Sequence, residues 1–214
     1  MTDILEILIF IIAAFILYRL IFYIVKRLAA MRKISALKEM CGASVTYSRP
    51  PFLTFFKLRD KADVVVETRD SIYLVRFIDT PGGVVHLHFA SDRFFVTYVH
   101  SVIPIGGLLQ MRKRYRAAAR NARSSTSCER VRILPPMKVE EKYTRAKELY
   151  GKNLVPVLLF NPAPRELSYV TEAKTSIKVA FTGDEVYGSK VFTASTFAIH
   201  VDRMTREAKN KDFL

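Results

Sequence analysis

Cysteine is scarce in this chain of 214 residues, which contains only Cys41 and Cys128. The two lie far apart in sequence and neither belongs to a C-x-x-C pair, so they cannot form a structural zinc site by themselves. Isolated cysteines in a reducing compartment are free thiols rather than disulfides. We expect both to be free and Cys41 to be buried along the first helix.

Signatures of catalysis and cofactor binding are also missing. The chain has no P-loop, no G-x-G-x-x-G motif, and no serine or cysteine in a nucleophile-elbow context. Gly82-Gly83 and Gly106-Gly107 are typical of turns. The sequence therefore predicts no resident cofactor.

Acidic residues are outnumbered, since 34 lysines and arginines face 20 aspartates and glutamates, giving a formal net charge of +14. A charge of this sign favours anionic partners, either lipid headgroups or nucleic acid. Aromatic residues are plentiful, at 12% of the chain, which argues against disorder over most of its length. The length predicts one domain with a full core, over residues 42–208.

The longest apolar run extends from Ile7 to Val25 and contains one charged residue, Arg19. At about 1.5 Å per residue, a helix of this length matches a hydrocarbon core about 30 Å thick. Basic residues follow the run, which is the reverse order of a cleaved signal peptide. By the positive-inside rule we predict a single-pass anchor in the cell membrane, with the N-terminus outside and the following domain in the cytoplasm.

The helical pattern continues beyond the apolar run. No proline interrupts it, and Gly42 is a natural C-cap. We predict one helix over residues 3–41 that holds the next domain at a fixed distance from the bilayer. Its expected core-facing stripe is Leu28, Met31, Ile34, Leu37 and Cys41.

Four β-rich segments lie between residues 62 and 100, and their spacing predicts two hairpins joined into a four-stranded antiparallel meander. A short strand candidate at 43–47 precedes them. A helix is predicted over 139–150 and a strand over 154–160, in which Pro156 favours either an edge strand or the start of a strand. A final helix begins at Thr193 or Ser195 and continues to about Glu207, before a tail over 209–214.

Residues 103–137 are predicted to be a long basic insertion, partly helical or disordered. The segment from Arg112 to Arg123 has no acidic residue, and Tyr115 is its single aromatic, which speaks against base stacking. One interpretation is a solvated linker; the functional one is docking to anionic lipid. The predicted lipid or nucleic-acid contacts are Lys26, Arg27, Arg32, Lys33, Arg112, Lys113, Arg114, Arg116, Arg120 and Arg123.

The order of a helix, a meander, a helix, a strand and a final helix resembles the restriction-endonuclease-like fold of the PD-(D/E)XK superfamily. The resemblance implies Asp63 as a metal ligand at the first strand of a hairpin. It also implies a Glu-x-Lys on the next strand, where this chain has Leu74-Val75-Arg76. Arg76 can replace the lysine, but Leu74 cannot coordinate Mg²⁺. The resemblance therefore implies a relative that has lost catalysis.

His86 and His88 lie two positions apart on one predicted strand, so they point to the same face. That spacing can present two imidazoles to a metal ion. However, Val85, Leu87 and Phe89 fill the opposite, core face, which favours an ordinary solvent-facing pair, and no third ligand is nearby in sequence.

These observations predict an α/β (α+β) protein in which one transmembrane helix precedes a mixed sheet flanked by helices. The leading hypothesis is a cytoplasmic binding or scaffolding domain, without catalytic activity, that contacts the bilayer and its anionic headgroups. One alternative is a membrane-associated nuclease that uses Asp63 and Mg²⁺, or a nucleic-acid-binding protein. Another is a subunit of a complex with other membrane proteins.

Overall fold

The computed structural model describes residues 2–48, 60–80, 83–90, 93–101, 127–171 and 177–211. The sequence predicted one domain beyond the anchor, whereas the chain divides into two compact units. Unit 1 consists of Met1–Asp79, Met137–Pro162 and Thr182–Leu214, and unit 2 of Thr80–Pro136 and Ala163–Phe181. Unit 2 is thus formed by two segments that interrupt unit 1 in sequence.

The helices described all belong to unit 1: α1 (Thr2–Ser35), α2 (Leu37–Cys41), α3 (Glu141–Tyr150) and α4 (Ala194–Lys211). The predicted helix over residues 3–41 is confirmed except for a turn at Ala36 between α1 and α2. Gly42 ends α2 at φ 69°. Its N–H donates to the carbonyl of Lys38 and the N–H of Ala43 donates to the carbonyl of Leu37, as the C-cap prediction requires. Thr193 caps α4, because its Oγ1 lies 3.4 Å from the amide of Thr196.

Unit 1 contains a six-stranded mixed sheet in the order β1-β2-β3-β7-β11-β10. Its strands are β1 (Ser44–Tyr47), β2 (Val64–Glu67), β3 (Ser71–Asp79), β7 (Asn153–Asn161), β10 (Glu185–Val186) and β11 (Ser189–Thr193). β1, β2 and β3 are successively antiparallel, and β3, β7 and β11 are parallel. The carboxyl ends of the three parallel strands therefore meet at one edge of the sheet.

β7 lies at the centre of this sheet, so the prediction of an edge strand for Pro156 is wrong, whereas its alternative is confirmed because Pro156 lies near the start of β7. Pro156 pairs with Leu74 of β3, but the pairing of β7 with β11 starts only at Val157. At Pro156, β7 therefore has a strand neighbour on one side alone, and a missing N–H on the other side costs no ladder hydrogen bond.

Unit 2 contains a five-stranded sheet in the order β6-β5-β4-β8-β9. Its strands are β4 (Val84–Ala90), β5 (Arg93–Ser101), β6 (Ser127–Leu134), β8 (Glu166–Val170) and β9 (Ile177–Val179). Both predicted hairpins are present, but the single meander over 62–100 is wrong because the hairpins belong to different sheets. Residues 127–134 of the predicted irregular insertion form strand β6. The Arg112–Arg123 segment of the same insertion lies outside the described residues.

Helices cover both faces of the unit 1 sheet. On one face Ile34 of α1 and Phe197 of α4 join a core cluster with Val75 and Phe77. On the other face Leu74 and Ile72 pack against Tyr143 of α3. The predicted α1 stripe is confirmed at Met31, Ile34 and Leu37, Cys41 is a half-buried free thiol, and Leu28 is exposed.

The first half of α1 exposes large apolar side chains along its length from Leu5 to Val25. Among the described residues it is the one helix long and apolar enough to cross a membrane, and its apolar window is not buried within the structure.

Candidate functional site

The candidate site lies where α1 passes from its apolar half to its buried half. The first two residues after the apolar run contact the carboxyl ends of two parallel strands. Arg27 donates from Nη1 to Oδ1 of Asp79, the last residue of β3, at 2.9 Å. Asn161, the last residue of β7, donates from Nδ2 to the carbonyl of Lys26 at 3.3 Å. We call Arg27, Asp63 and Asp79 the junction triad.

Arg27 is the charged centre of the triad and is only 2% exposed. Its guanidinium carbon lies 3.7 Å from the centroid of the Phe77 ring, a cation–π contact. Its Nη2 lies 3.8 Å from Oδ2 of Asp63, close enough for charge attraction but too far for a hydrogen bond. Within the described residues, Nε and Nη2 donate no hydrogen bond. The two carboxylates thus compensate the positive charge of the Arg27 guanidinium, and of the two only Asp79 accepts a hydrogen bond from it.

Asp63 is fixed by the backbone of β3. Its amide donates to the carbonyl of Val75 at 2.8 Å, and its Oδ2 accepts the amide of Phe77 at 2.8 Å. An aspartate tied at both backbone and side chain has little freedom to reorient toward a ligand. The side chain is 11% exposed.

Arg76 is also buried, as the neighbour of Phe77 on the opposite face of β3. Burial lowers the pKa of its guanidinium, while the charges of Asp63 and Asp60 act in the opposite direction. Asp63 and Arg76, the two residues that the family resemblance implies, therefore interact electrostatically. Leu74, at the position where the family resemblance implies a metal ligand, belongs to the core beneath α3.

Sequence reasoning missed Asp79. It lies beyond the predicted end of the β3 strand, and no sequence pattern could show that α1 would bring Arg27 between it and Asp63. One sequence signal could have identified Asp79, because it directly follows an apolar β-rich segment. Polar residues at the carboxyl ends of parallel strands often form functional sites. In the part of the chain that is described, no three histidine, cysteine or acidic residues are grouped to hold a metal ion.

The assignment of Arg27 to a lipid-binding surface is wrong, because the two aspartates draw its side chain into the domain. Lys26 remains half-buried with its Nζ 4.1 Å from the centroid of the Phe22 ring. Arg32 and Lys33 are exposed, and Nζ of Lys33 donates to Oγ of Ser195 at 2.6 Å. The other six predicted contacts, from Arg112 to Arg123, lie outside the described residues.

The two histidines of β4 lie on one face of the unit 2 sheet, opposite buried Val85 and Leu87, as the alternation predicted. Both are half-buried rather than fully solvent-facing. Nδ1 of His86 is hydrogen-bonded to Oγ of Ser168. The His88 ring centroid lies 6.2 Å from that of Phe95. Their described surroundings supply no third metal ligand.

The site has to be interpreted from its own geometry. No family model, no curated protein and no solved structure matches this chain.

Proposed function

We propose that this chain is a single-pass membrane protein whose cytoplasmic part is a non-catalytic binding or scaffolding module, held at a fixed angle by its anchor. The observation that carries the proposal is the buried guanidinium of Arg27 between Asp63 and Asp79. It joins the first turn beyond the apolar run of α1 to the central strand β3.

Two properties of α1 support an anchor. Its side chains from Leu5 to Val25 are apolar and exposed, and water is an unfavourable environment for so large an apolar surface. Beyond Lys26 the same helix packs into the core through Ala30, Met31 and Ile34. The basic residues that follow the run support an orientation with this packed part in the cytoplasm and the N-terminus outside.

The junction triad supports a rigid attachment. A buried ion pair is weak evidence for net stability, but removing one partner leaves an uncompensated buried charge and costs about 3–5 kcal/mol. Any tilt or rotation of α1 that withdraws Arg27 from the two aspartates incurs a penalty of this kind. The anchor and unit 1 therefore move as one body.

The same triad supports the absence of catalysis. A metal-dependent nuclease needs carboxylates free to hold a cation. Here the positive charge beside Asp63 and Asp79 is a guanidinium supplied by the protein itself. Asp63 is further committed to the amide of Phe77.

The second candidate function, a metal-dependent nuclease, is favoured by one observation. Asp79 supplies a second carboxylate near the Arg27 guanidinium and Asp63, whereas the motif position on the next strand is Leu74.

A nuclease assay separates the two candidates. The full-length protein in nanodiscs is incubated with labelled DNA and RNA in Mg²⁺ or Mn²⁺, beside Asp63→Asn and Asp79→Asn variants. We expect no cleavage by any of the three. Cleavage by the native protein that is lost in both variants would establish the nuclease and end the non-catalytic proposal.

The basic residues beside the bilayer give the module a lipid-binding surface. Lys26 is the first residue after the apolar run, and Arg32 and Lys33 lie further along the same helix. Each basic group near an anionic surface contributes about 1 kcal/mol. The net charge of +14 adds a long-range attraction of the same sign. The proposed partners are therefore the bilayer and its anionic headgroups.

A further inference from the structure

A cavity of about 170 Å³ lies in unit 1, away from the junction triad. It is formed by the end of α2, the turn between β2 and β3, and the last turns of α4. Ser71 borders the cavity at the start of β3, and Asp79 ends the same strand. At ~3.3 Å per residue, about 26 Å separates these two residues. We call this space the α2–α4 cavity, and it lies at the end of the sheet farther from the apolar run of α1.

The α2–α4 cavity has a largely apolar interior and a charged mouth. Tyr73 at its floor is 3% exposed, and Met204 and Ala208 of α4 are half-buried at its wall. Three exposed side chains at the mouth have charges of both signs: Arg69, Asp70 and Lys209. The change from a buried floor to an exposed mouth gives a small molecule a route from solvent to the apolar interior.

The hydroxyl groups that line the cavity are hydrogen-bonded within the protein. Oγ1 of Thr68 donates to the carbonyl of Ser71 at 3.1 Å and accepts the amide of the same residue at 3.2 Å. Oγ1 of Thr205 donates to the carbonyl of Val201 at 2.9 Å. The Tyr73 hydroxyl is hydrogen-bonded to the Ser71 side chain, and burial raises its pKa, so it is uncharged at neutral pH.

These properties select the charge of a ligand. A charged group that entered the cavity would lose its hydration among hydroxyl groups that already have partners, which is unfavourable. An uncharged, apolar group loses little hydration energy and gains contact with the wall.

We propose that the α2–α4 cavity binds a small uncharged molecule with a single aromatic ring. The volume suits such a ligand, since a cavity of about 150 Å³ in an unrelated protein accepts benzene. The polarisable sulfur atoms of Cys41 and Met204 and the ring of Tyr73 favour an aromatic body over an aliphatic one. This inference goes beyond the proposed scaffolding function, concerns unit 1 alone and does not depend on the anchoring.

Cys41 reports whether the cavity is occupied, because its thiol belongs to the wall. Its Sγ donates to the carbonyl of Leu37 at 3.2 Å, and the thiol interacts electrostatically with the Tyr73 hydroxyl. The full chain with Cys128→Ser, in nanodiscs of neutral phosphatidylcholine, is alkylated with iodoacetamide. Increasing concentrations of benzyl alcohol, benzoate or benzylammonium are added, because these three single-ring probes are similar in size and differ in charge.

Two further variants control the measurement. Leu149→Cys, with both native cysteines replaced by serine, places the thiol at a residue of α3 that is 75% exposed and outside the cavity. Ala208→Phe fills the cavity from its wall. If Ala208→Phe does not fold, Met204→Ala takes its place, because it removes the thioether from the same wall.

We expect benzyl alcohol to slow the alkylation of Cys41 several-fold and in a saturable manner, and the two charged probes to slow it much less. Benzyl alcohol should not change the rate for Leu149→Cys, and its effect at Cys41 should be lost in Ala208→Phe or weakened in Met204→Ala. An unchanged rate at Cys41, or equal slowing at Leu149→Cys, overturns the inference. Equal protection by a charged probe, or full protection in the wall variant, also overturns it.

Discussion

Nη1 of Arg27 lies 2.9 Å from Oδ1 of Asp79, although the two residues are 52 positions apart in the chain. The contact joins the first turn of α1 beyond its apolar run to the carboxyl end of β3. Asp63 approaches the same guanidinium from the start of β2, at 3.8 Å. One buried charge therefore contributes to the position of α1 relative to the unit 1 sheet, beside the core packing of Ala30, Met31 and Ile34.

The first prediction concerns the free energy of unfolding. Arg27→Met leaves the charges of Asp63 and Asp79 without their partner and is expected to destabilise the protein by about 3–5 kcal/mol. Arg32→Met is the matched control, since Arg32 is an exposed arginine of the same helix, and its effect should be within about 0.5 kcal/mol of zero. Urea unfolding of the detergent-solubilised full chain, followed by circular dichroism, measures both. Equal changes in the free energy of unfolding for the two substitutions would show that the charge of Arg27 is not needed to compensate Asp63 and Asp79.

The second prediction concerns the helix end that orients β1. Gly42 has φ 69°, and a Cβ added there meets no atom within 4 Å, so the cost of a side chain is backbone strain alone. Gly42→Ala should destabilise the protein by about 1 kcal/mol. Gly42→Asn should cost clearly less, because asparagine tolerates the left-handed region. The same unfolding assay compares them, and a larger loss for asparagine would contradict the strain argument.

The third prediction concerns pH. Burial of His200 beside the rings of Phe192 and Tyr73 lowers its pKa below the ordinary 6.5, and the charges of Lys190 and Arg203 lower it further. The unfolded chain therefore takes up a proton at a higher pH than the folded one. The neutral form of His200 therefore contributes to the free energy of unfolding. That contribution is complete above the unfolded pKa and is lost as the pH falls through 6.5 toward the folded pKa.

His200→Gln removes this contribution and serves as its test. The melting temperature of the native protein should fall more between about pH 7.5 and about pH 5.5 than that of the variant. His88→Gln is a control for a histidine on the other unit. Equal pH dependence of the native protein and His200→Gln would assign the effect to other groups.

The fourth prediction concerns the lipid surface. Replacing Arg32 and Lys33 by glutamine should reduce the preference for anionic over neutral nanodiscs, at about 1 kcal/mol for each basic group at low salt. The preference is measured by competitive reconstitution, and added salt should weaken it in the native protein. Arg203→Gln with Arg206→Gln is the matched control, since both arginines of α4 are paired with acids on their own helix. An equal loss in the two double variants would refute a localised lipid surface.

Local elements could be predicted from the sequence, because they depend on local patterns. The apolar run of α1, the cap at Gly42, the cap at Thr193 and both β-hairpins are present. The arrangement of strands could not be predicted in the same way. β3 takes its second neighbour from residues 153–161, and nothing in the alternation of β3 specifies a partner so distant in sequence.

The candidate site shows the same division. Asp63 and Arg76 were implied by the family resemblance, which depends on a hairpin that the local sequence pattern predicts. A basic residue after an apolar run ordinarily faces headgroups, so the sequence predicts Arg27 at the surface. Its burial follows from two aspartates that only the folded sheet brings to α1, so the charge pairing is a tertiary property.

The rigid attachment of the anchor through Arg27 is tested most directly by the distance between α1 and α4 in a bilayer. Spin labels are placed at Leu17 and Ile199, both exposed residues of unit 1, in a Cys41→Ser and Cys128→Ser background. Double electron–electron resonance on the full chain in nanodiscs then reports the distribution of distances. We predict one narrow distribution that broadens in Arg27→Met and stays narrow in Arg32→Met. A broad distribution before any change at Arg27, or one that Arg27→Met leaves unchanged, would contradict the account.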